Sequence, residues 1–408
     1  MQKERLKKYA ELIVKCGLNV QKGQEVIIRC GLDQPDFVAT CVEECYKCGA
    51  ERVKVEWSYM PVSKIHYDYR SLESLSEFTA VEKAEWERKV EKLTCLLWLD
   101  SDDPDGLNGT DSEKIAKANQ ARFPFIKPYR DELENRYQWC IAAVPGKEWA
   151  KKIYPDLSDA DAVEKLWEDI LLCSRVDDDP IKAWEEHNAN LAKRCKFLND
   201  YRFDRLVYKS ANGTDFTVGL NPKGIFMGGG EYALGSNIYY NPNIPSEEVF
   251  TTPMRGRAEG KVVSTKPLSY QGKLIENFWV RFEKGKVVEV GAESNEELLK
   301  NMVAMDEGAA YLGEVALIAH DSPINNTGIL FYNTLFDENA SCHLALGRGF
   351  TNCLEGFENM TNDECEKAGV NSSMIHVDFM IGSADMSITG ITADGKEVPV
   401  FRNGNWAI

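Results

Sequence analysis

Five ionisable side chains lie in apolar, strand-like segments in the second half of this 408-residue chain. They are Glu248 in SEEVFTTP, Glu314 in AAYLGEVALIAH, His343 in ENASCHLALGRGF, and His376 and Asp378 in NSSMIHVDFMIGS. An isolated charge among apolar groups is unfavourable unless it is paired or changes its protonation. Each residue alone is explained by an ion pair or by a hydrogen bond to the backbone. Together, two imidazoles and three carboxylates form the mixed nitrogen and oxygen ligand set that zinc, cobalt and manganese bind.

The segment from 371 to 383 is predicted to be a strand that carries two of these ligands. Because side chains alternate across a strand, His376 and Asp378 share one face, whereas Val377 and Phe379 belong to an apolar core face. Two ligands on one face need no distortion of the backbone. Five candidate ligands exceed the needs of one catalytic ion that keeps a position for water, so the set favours a pair of divalent ions.

The segments of the first half alternate between helix and strand. Strands are predicted at 24–31, 51–58, 94–101 and 137–145, and helices at the N-terminus, at 35–50, at 80–93 and around 112–123. Short apolar strands separated by helices are typical of a doubly wound, mostly parallel sheet. The sequence has no GxGxxG after the first strand and no GxxxxGK[ST] anywhere, so it does not predict a nucleotide site.

The character of the sequence changes near residue 200. Two helical stretches, at 161–175 and 180–200, precede this point, and strands, turns and glycines follow it. A chain of this length exceeds the usual size of a single core. We therefore predict an N-terminal α/β domain at 1–200 and a mixed α+β metal-binding domain at 201–408, which contains all five candidate ligands.

The charge of the chain limits its partners. Asp and Glu number 65 against 48 Lys and Arg, which gives a net charge of −17. Nucleic acid is not an expected partner, because a phosphate backbone needs a basic surface. The N-terminus reads as an amphipathic helix without the continuous apolar region of a signal peptide, and no stretch is long enough to span a membrane. We expect a cytoplasmic protein whose 12 cysteines are reduced thiols.

One cysteine group suggests a second metal site at first sight. Cys41, Cys45 and Cys48 have the i, i+4, i+7 spacing that places three thiols on one helix face. Thiols arranged along one face do not easily converge on a tetrahedral ion. Their predicted role is therefore that of small, apolar packing residues.

Five segments in this order resemble the aminopeptidase T family of metallopeptidases, which includes aminopeptidase S and PepS. The matching segments are PSEEVFTTP, YLGEVALI, FYNTLFDENASCHLALG, IHVDFMIGS and VFRNGNW, and the opening LKKYAELIVKCGLNVQKGQEVIIR is similar too. The resemblance covers nearly the whole chain. It implies two domains, two divalent ions such as zinc or cobalt, and a homodimer.

Carried over by position, the resemblance makes all five candidates metal ligands, with Glu247 as an alternative to Glu248. The family pattern has a tyrosine seven residues after the first histidine, where it contributes to the metal centre. This chain has Phe350 at that position. A phenol can coordinate weakly or donate a hydrogen bond, whereas phenylalanine does neither, so the second ion is expected to bind less firmly or the activity to be reduced.

The resulting hypothesis is an aminopeptidase that removes single residues from peptides with free N-termini. Glu314 is the expected general base, with a bridging role for it as an equal alternative, and Glu248 is the other glutamate of the catalytic site. A two-metal phosphoesterase is a rival interpretation, for which Arg255 and Arg257 are the best available phosphate-binding pair. A further rival, supported by Phe350, is a homologue that binds metal and peptide with impaired catalysis.

Overall fold

The computed structural model describes residues 2–271 and 273–408. The helices are α1 (Gln2–Leu12), α2 (Pro35–Lys47), α3 (Met60–Tyr69), α4 (Leu72–Ser76), α5 (Ala80–Lys92), α6 (Ser112–Leu133), α7 (Lys147–Ile153), α8 (Asp159–Cys173), α9 (Pro180–Tyr201), α10 (Glu296–Val303), α11 (Pro323–Asn326), α12 (Thr334–Asp337) and α13 (Asn362–Lys367). A π-helical turn follows α1 at Ile13–Gly17, and 3-10 turns occupy Gly308–Ala310, Glu338–Ala340, Thr351–Cys353 and Phe357–Asn359. None of the helices in these ranges is both long and apolar enough to cross a membrane.

The strands fall into three larger sheets and two short hairpins. They are β1 (Glu25–Gly31), β2 (Arg52–Ser58), β3 (Cys95–Asp100), β4 (Trp139–Ala143), β5 (Phe203–Lys209), β6 (Asp215–Leu220), β7 (Met227–Gly228), β8 (Glu231–Tyr232), β9 (Tyr239–Tyr240), β10 (Asn243–Ile244), β11 (Val249–Thr251), β12 (Pro253–Val263), β13 (Leu268–Tyr270), β14 (Lys273–Ile275), β15 (Trp279–Glu283), β16 (Lys286–Gly291), β17 (Leu312–Leu317), β18 (His343–Gly347), β19 (His376–Met380), β20 (Ser387–Thr392), β21 (Glu397–Arg402) and β22 (Asn405–Trp406).

The chain divides into two compact units. The first comprises Met1–Glu185 and Gly230–Pro245, and the second comprises Glu186–Gly229 and Ser246–Ile408. The chain therefore passes from one unit to the other three times. The boundary predicted near residue 200 separates two domains that would fold independently. A division into compact units does not test independent folding, so this boundary stays a prediction.

The first unit is built on a parallel sheet in the order β10-β4-β3-β1-β2. This confirms the predicted doubly wound α/β class, and β1 to β4 match the four predicted strands within two residues at each end. One face of the sheet buries apolar residues such as Val26, Ile28 and Leu97. The edge strand β10 was not predicted, because a strand of two residues has no detectable periodicity.

The second unit contains two antiparallel sheets that share one core. The first has the order β19-β18-β17-β11-β7 and is called the site sheet below, and the second has eight strands in the order β16-β15-β12-β6-β5-β20-β21-β22. Val315, Leu344 and Phe379 from the site sheet join Phe216 and Val280 from the larger sheet in a continuous hydrophobic cluster. The apolar face predicted for the late strand is therefore the core face.

The strand predicted over 371–383 is shorter in the structure, where β19 covers only His376–Met380. The preceding residues form two main-chain hydrogen bonds to Arg348 and Gly349, and side chains hold the rest. Asp306 accepts hydrogen bonds from the Ser373 hydroxyl and from the Met374 N–H, the latter at 2.6 Å. The backbone N–H of Ile375 bonds to the Ser373 hydroxyl in turn. Local side-chain hydrogen bonds of this kind compete with a sheet ladder.

Candidate metal centre

The register of the site sheet aligns two of the predicted ligands across three strands. Ala345 on β18 pairs with Glu314 on one side and with Asp378 on the other. Residues that are directly opposite in a sheet point to the same face. The methyl group of Ala345 fills little space, so the two carboxylates can lean towards each other over β18.

The two histidines belong to the same face of the site sheet. His343 lies two residues before Ala345 on β18, and His376, two residues before Asp378 on β19, pairs with Gly347. Gly347 has a φ of 108°, and a Cβ atom at this position would lie 2.1 Å from a backbone oxygen. Only glycine satisfies both conditions, so the end of β18 can approach Ile375, the residue before β19, closely.

Glu248 reaches this face from the strand on the other side of β17. It immediately precedes β11, in which Phe250 pairs with Ala316, and Ala316 pairs in turn with His343. Glu248 is two residues from Phe250 and so shares its face. The Glu248 Oε2 lies 3.5 Å from the His343 Nε2, and both side chains are buried.

The five side chains converge on two overlapping groups of ligand atoms. Glu248, Glu314 and His343 form one group, and Glu314, His376 and Asp378 form the other, with atoms within 4.8 Å of one another in each. The His376 Nε2 lies 3.1 Å from Glu314 Oε2 and 3.3 Å from Asp378 Oδ1. Asp378 Oδ1 is also 3.9 Å from the His343 Nε2. Glu314 therefore belongs to both groups, and Asp378 lies near both imidazoles.

Backbone carbonyls fix the orientation of both imidazole rings. The Nδ1 of His343 lies 2.8 Å from the carbonyl oxygen of Glu338, and the Nδ1 of His376 lies 2.7 Å from that of Arg348. A carbonyl oxygen only accepts hydrogen bonds, so each Nδ1 must carry the proton. Each Nε2 then faces the carboxylates and would be available to donate its electron pair to a cation bound among them, which is how metal-ligating histidines are usually held.

The electrostatics of the site favour the addition of positive charge. Burial raises the pKa of Glu248 well above its ordinary value, and the carboxylates of Glu314 and Asp378 raise it further. Burial lowers the pKa of His376, but the Asp378 and Glu314 carboxylates outweigh it and hold that pKa well above its usual range. Burial also opposes ionisation of Asp378, yet the two imidazoles keep the pKa of its carboxyl low. In the absence of a metal, the protons held by Glu248 and His376 offset part of the negative charge of the carboxylates. A bound cation would offset the same charge.

One buried atom lacks the partner that a cation would supply. Asp378 Oδ1 is shielded from solvent, and although the His376 Nε2 lies 3.3 Å away, it accepts no well-aligned hydrogen bond from the described part of the chain. Buried polar atoms are otherwise nearly always hydrogen-bonded. Together the site has three carboxylates and two imidazole nitrogens, which is the donor set of a divalent transition metal. The residues present therefore fit such an ion.

A sixth ionisable residue of this region, Glu338, was not among the predicted ligands. It lies in the 3-10 turn after α12 and belongs to neither group of ligand atoms within the described chain. Burial raises the pKa of its carboxyl well above the usual value, and the negative charges of Asp378, Glu248 and Glu314 raise this pKa further. Its sequence context, in which Asp337 and Glu338 are adjacent, resembles an exposed acidic turn, so the pattern gave no signal.

The alternative ligand Glu247 lies apart from the two groups. Its side chain is buried, with Oε2 3.9 Å from the Nε2 of His187, which also lies 2.7 Å from the carbonyl oxygen of Ser246. Its backbone N–H donates a hydrogen bond of 2.7 Å to Asn339 Oδ1. The structure thus brings Glu248 into the converging set and directs Glu247 towards α9.

Phe350 forms part of the apolar surroundings of the site. Its ring lies 4.9 Å from the imidazole of His376 and packs edge-on against Phe250 at 5.5 Å between ring centroids. The position that the resemblance assigns to a tyrosine is therefore beside a candidate ligand, and this chain has no hydroxyl there. The ring of Phe350, backed by that of Phe250, therefore gives His376 an apolar neighbour.

Two other predicted groups stand away from any ligand cluster. Cys41 and Cys45 are fully buried on α2 and Cys48 is half-buried at its end, and no cysteine joins a metal-binding group among residues 2–271 and 273–408. Arg257 is paired with Asp204 through two contacts of 2.9 Å. Arg255 is paired with the exposed Glu307 at 2.7 Å. These arginines form surface ion pairs, and nothing in their geometry favours a phosphate site.

Comparison with known proteins identifies the family of this chain. The family model described as thermophilic metalloprotease (M29) matches residues 2–406. Aminopeptidase AmpS of Bacillus subtilis is 43% identical over 99% of this chain and 98% of its own length, and aminopeptidase T of Thermus aquaticus is 38% identical over 99% of both. The solved structure of wild-type AmpT from Thermus thermophilus superposes with a TM-score of 0.91 at 38% identity and covers 100% of both chains. The resemblance seen in the sequence is confirmed, and the chain belongs to the thermophilic metalloprotease family M29.

Proposed function

We propose that this protein is a metal-dependent aminopeptidase that hydrolyses the N-terminal residue from peptides. The observation that carries the proposal is the convergence of Glu248, Glu314, His343, His376 and Asp378 on one face of the site sheet. The family is one of metalloproteases, and relatives that match nearly the whole chain are named aminopeptidases. Peptides with free N-termini are thus the proposed substrates.

The two groups of ligand atoms suggest positions for two divalent ions, with zinc, cobalt and manganese as the proposed metals. Glu248, Glu314 and His343 would hold one ion, and Glu314, His376 and Asp378 the other. A divalent ion in such a site polarises the scissile carbonyl group and makes water a nucleophile near neutral pH. Glu314, as a member of both groups, is the proposed bridging ligand.

A carboxylate must take the proton from the attacking water and deliver it to the leaving amine. Glu314 remains a candidate for this role, with Glu248 beside it in the same group. If both are engaged as ligands, Glu338 is left as the carboxylate that interacts with the site without belonging to either group. We propose Glu338 as the alternative base, which the sequence did not suggest.

The surroundings of the site suit the end of a peptide chain. The excess of carboxylates attracts an α-ammonium group, and the rings of Phe250 and Phe350 provide an apolar surface beside His376. Family membership supports a homodimer, and the free cysteines support a cytoplasmic location. Both are part of this proposal.

Hydrolysis of leucyl-p-nitroanilide by the metal-free protein, before and after addition of zinc, cobalt or manganese, tests the proposal. Activity should depend on the added metal. In Glu314→Gln we expect both metal content and turnover to fall, because a shared ligand is lost. If Glu338 is the base, Glu338→Gln should keep its metal and lose kcat, because only proton transfer is impaired. Full activity in the Glu314→Gln variant would remove that residue from the mechanism.

The absent hydroxyl at Phe350 supports a second candidate, a homologue that binds metal and peptide without efficient turnover. The same assay separates the two candidates. Retained metal and measurable peptide affinity without hydrolysis across a panel of N-terminal residues favour the impaired homologue. Turnover that requires metal favours the aminopeptidase.

A further inference from the structure

Two buried asparagines stand next to the two backbone carbonyls that orient the imidazoles. Asn339 directly follows Glu338, whose carbonyl oxygen accepts the Nδ1–H of His343. The side chain of Asn371 binds Gly347, the residue before Arg348. The carbonyl oxygen of Arg348 accepts the Nδ1–H of His376. The exposed fractions of the two asparagines are 0% and 1%. A buried amide of this kind fixes the backbone segments that it joins.

Asn339 connects the 3-10 turn at 338–340 to the segment that carries Glu248. Its Oδ1 accepts the N–H of Glu247 at 2.7 Å, and its Nδ2 donates to the carbonyl oxygen of Leu335 at 2.9 Å. The Nδ2 also lies 3.4 Å from the Glu338 carboxylate. One side chain therefore fixes the residue next to Glu248 and also the turn that orients His343. Glu248 and His343 both belong to the first group.

Asn371 serves the end of β18 in the corresponding way. Its Nδ2 donates to the carbonyl oxygens of Gly308 at 2.8 Å and Gly347 at 2.5 Å. The main-chain carbonyl oxygen of Asn371, which any residue at this position would keep, accepts the N–H of Gly349 at 2.8 Å. Gly347 and Gly349 flank Arg348 and so hold the carbonyl that orients His376. Asn371 is thus linked to the second group, because Gly347 pairs with His376.

We infer that Asn339 and Asn371 are positioning residues, each of which holds one half of the site. Asn339 governs binding at Glu248, Glu314 and His343, and Asn371 governs binding at Glu314, His376 and Asp378. The inference rests on the proposed function, since it assumes that the two groups bind separate ions. It goes further by assigning each half its own support, so that the two halves can be weakened independently.

The test is a metal titration of Asn339→Ala and Asn371→Ala beside the wild type. Metal-free protein is titrated with cobalt, and binding is followed by calorimetry and by visible absorption, so the readout is independent of activity. Each variant should lose about ten- to a hundredfold in affinity at one site, the effect usual for partners of metal ligands. His343→Ala and His376→Ala provide the reference spectra for loss of the first and of the second site.

The expected result is a crossed pattern. Asn339→Ala should resemble His343→Ala, and Asn371→Ala should resemble His376→Ala. Combining Asn339→Ala with His343→Ala should add little further loss of metal, whereas combining it with His376→Ala should add the full loss. Equal weakening of both sites in both asparagine variants would overturn the inference, because it would show a general structural role.

Loss of folding would be recognised from the circular dichroism of the metal-free variants. In that case Asn339→Ser and Asn371→Ser, which keep a polar group in a smaller side chain, replace the alanine variants, and the same crossed pattern is required of them. A wild-type protein that binds no cobalt would refute the proposed function itself. That outcome differs from a wild type that binds two cobalt ions while each asparagine variant weakens both sites equally, which would overturn only the inference about the asparagines.

Discussion

Each of the two units contains residues of the types that bind metals, but their arrangement differs. In the first unit, Cys41 and Cys45 are buried on α2, and Cys48 follows them half-buried at the end of the helix. In the second unit, the carboxylates and imidazoles come from the neighbouring strands β17, β18 and β19 and from the residue before β11. The helix spaces its thiols along an axis, whereas the sheet brings four chain segments to one face.

The candidate site is created by the pairing of neighbouring strands, which brings residues from distant parts of the chain together. Regular spacing of cysteines along a single helix creates no such site. Neighbouring strands lie only about 5 Å apart, so residues opposite one another can touch the same ion. Successive turns of a helix separate residues by a similar distance, but three thiols over two turns span about 10 Å along the axis, so all three do not easily converge on one ion. The thiols therefore remain neutral packing groups, and burial raises the pKa of Cys45 to about 12.

The largest expected effect is that of removing a ligand from the second unit. His376→Ala should lower kcat/KM by at least about a hundredfold, since a metal contributes several kcal/mol to the transition state. Cys45→Ala, the matched loss of a ligand-type residue from the first unit, should leave kcat/KM and metal content nearly unchanged. Metal content by mass spectrometry and hydrolysis of leucyl-p-nitroanilide provide the measurement. Equal effects in the two variants would erase the distinction between the units.

A second difference concerns pH. In the metal-free protein the pKa values of Glu248 and His376 are raised, so a cation must displace protons that these two groups hold up to a higher pH than usual. Metal affinity should therefore increase with pH, by about tenfold per pH unit for each proton released. Calorimetry in two buffers of different ionisation enthalpy counts these protons. Binding without proton release between pH 6 and 8 would show that the groups are already ionised.

The sequence predicted the composition of this site better than its geometry. Alternation along one strand placed His376 and Asp378 correctly on one face, because that rule is local. The alignment of Glu314 with Asp378 through Ala345 depends on strand pairing across 64 positions of the chain, which no local pattern determines. Glu338 was missed because a 3-10 turn has no periodicity that would reveal its direction.

A smaller effect is expected from the packing residues of the first unit. Cys41→Ser should lower the free energy of unfolding by about 1–3 kcal/mol, because a buried hydroxyl needs a hydrogen bond that a thiol does not. Cys41→Ala should cost less than Cys41→Ser, since alanine buries no polar group. Urea denaturation measures both values, and metal content should be the same in both variants. A serine variant as stable as the alanine variant would contradict an apolar role for this thiol.

The smallest expected effect is that of Phe350→Tyr, which adds one hydroxyl group beside His376. The ring lies 4.9 Å from the imidazole, so the phenol can coordinate or donate a hydrogen bond to a neighbouring carboxylate without a change in the fold. We expect metal affinity to increase by roughly three- to tenfold, in the range of one additional hydrogen bond of about 1 kcal/mol. Cobalt titration of the metal-free variant is the measurement, with Phe250→Tyr as the control for a hydroxyl on the adjoining ring. Weaker metal binding in Phe350→Tyr would indicate that this chain has adapted its packing to phenylalanine and that the hydroxyl no longer fits.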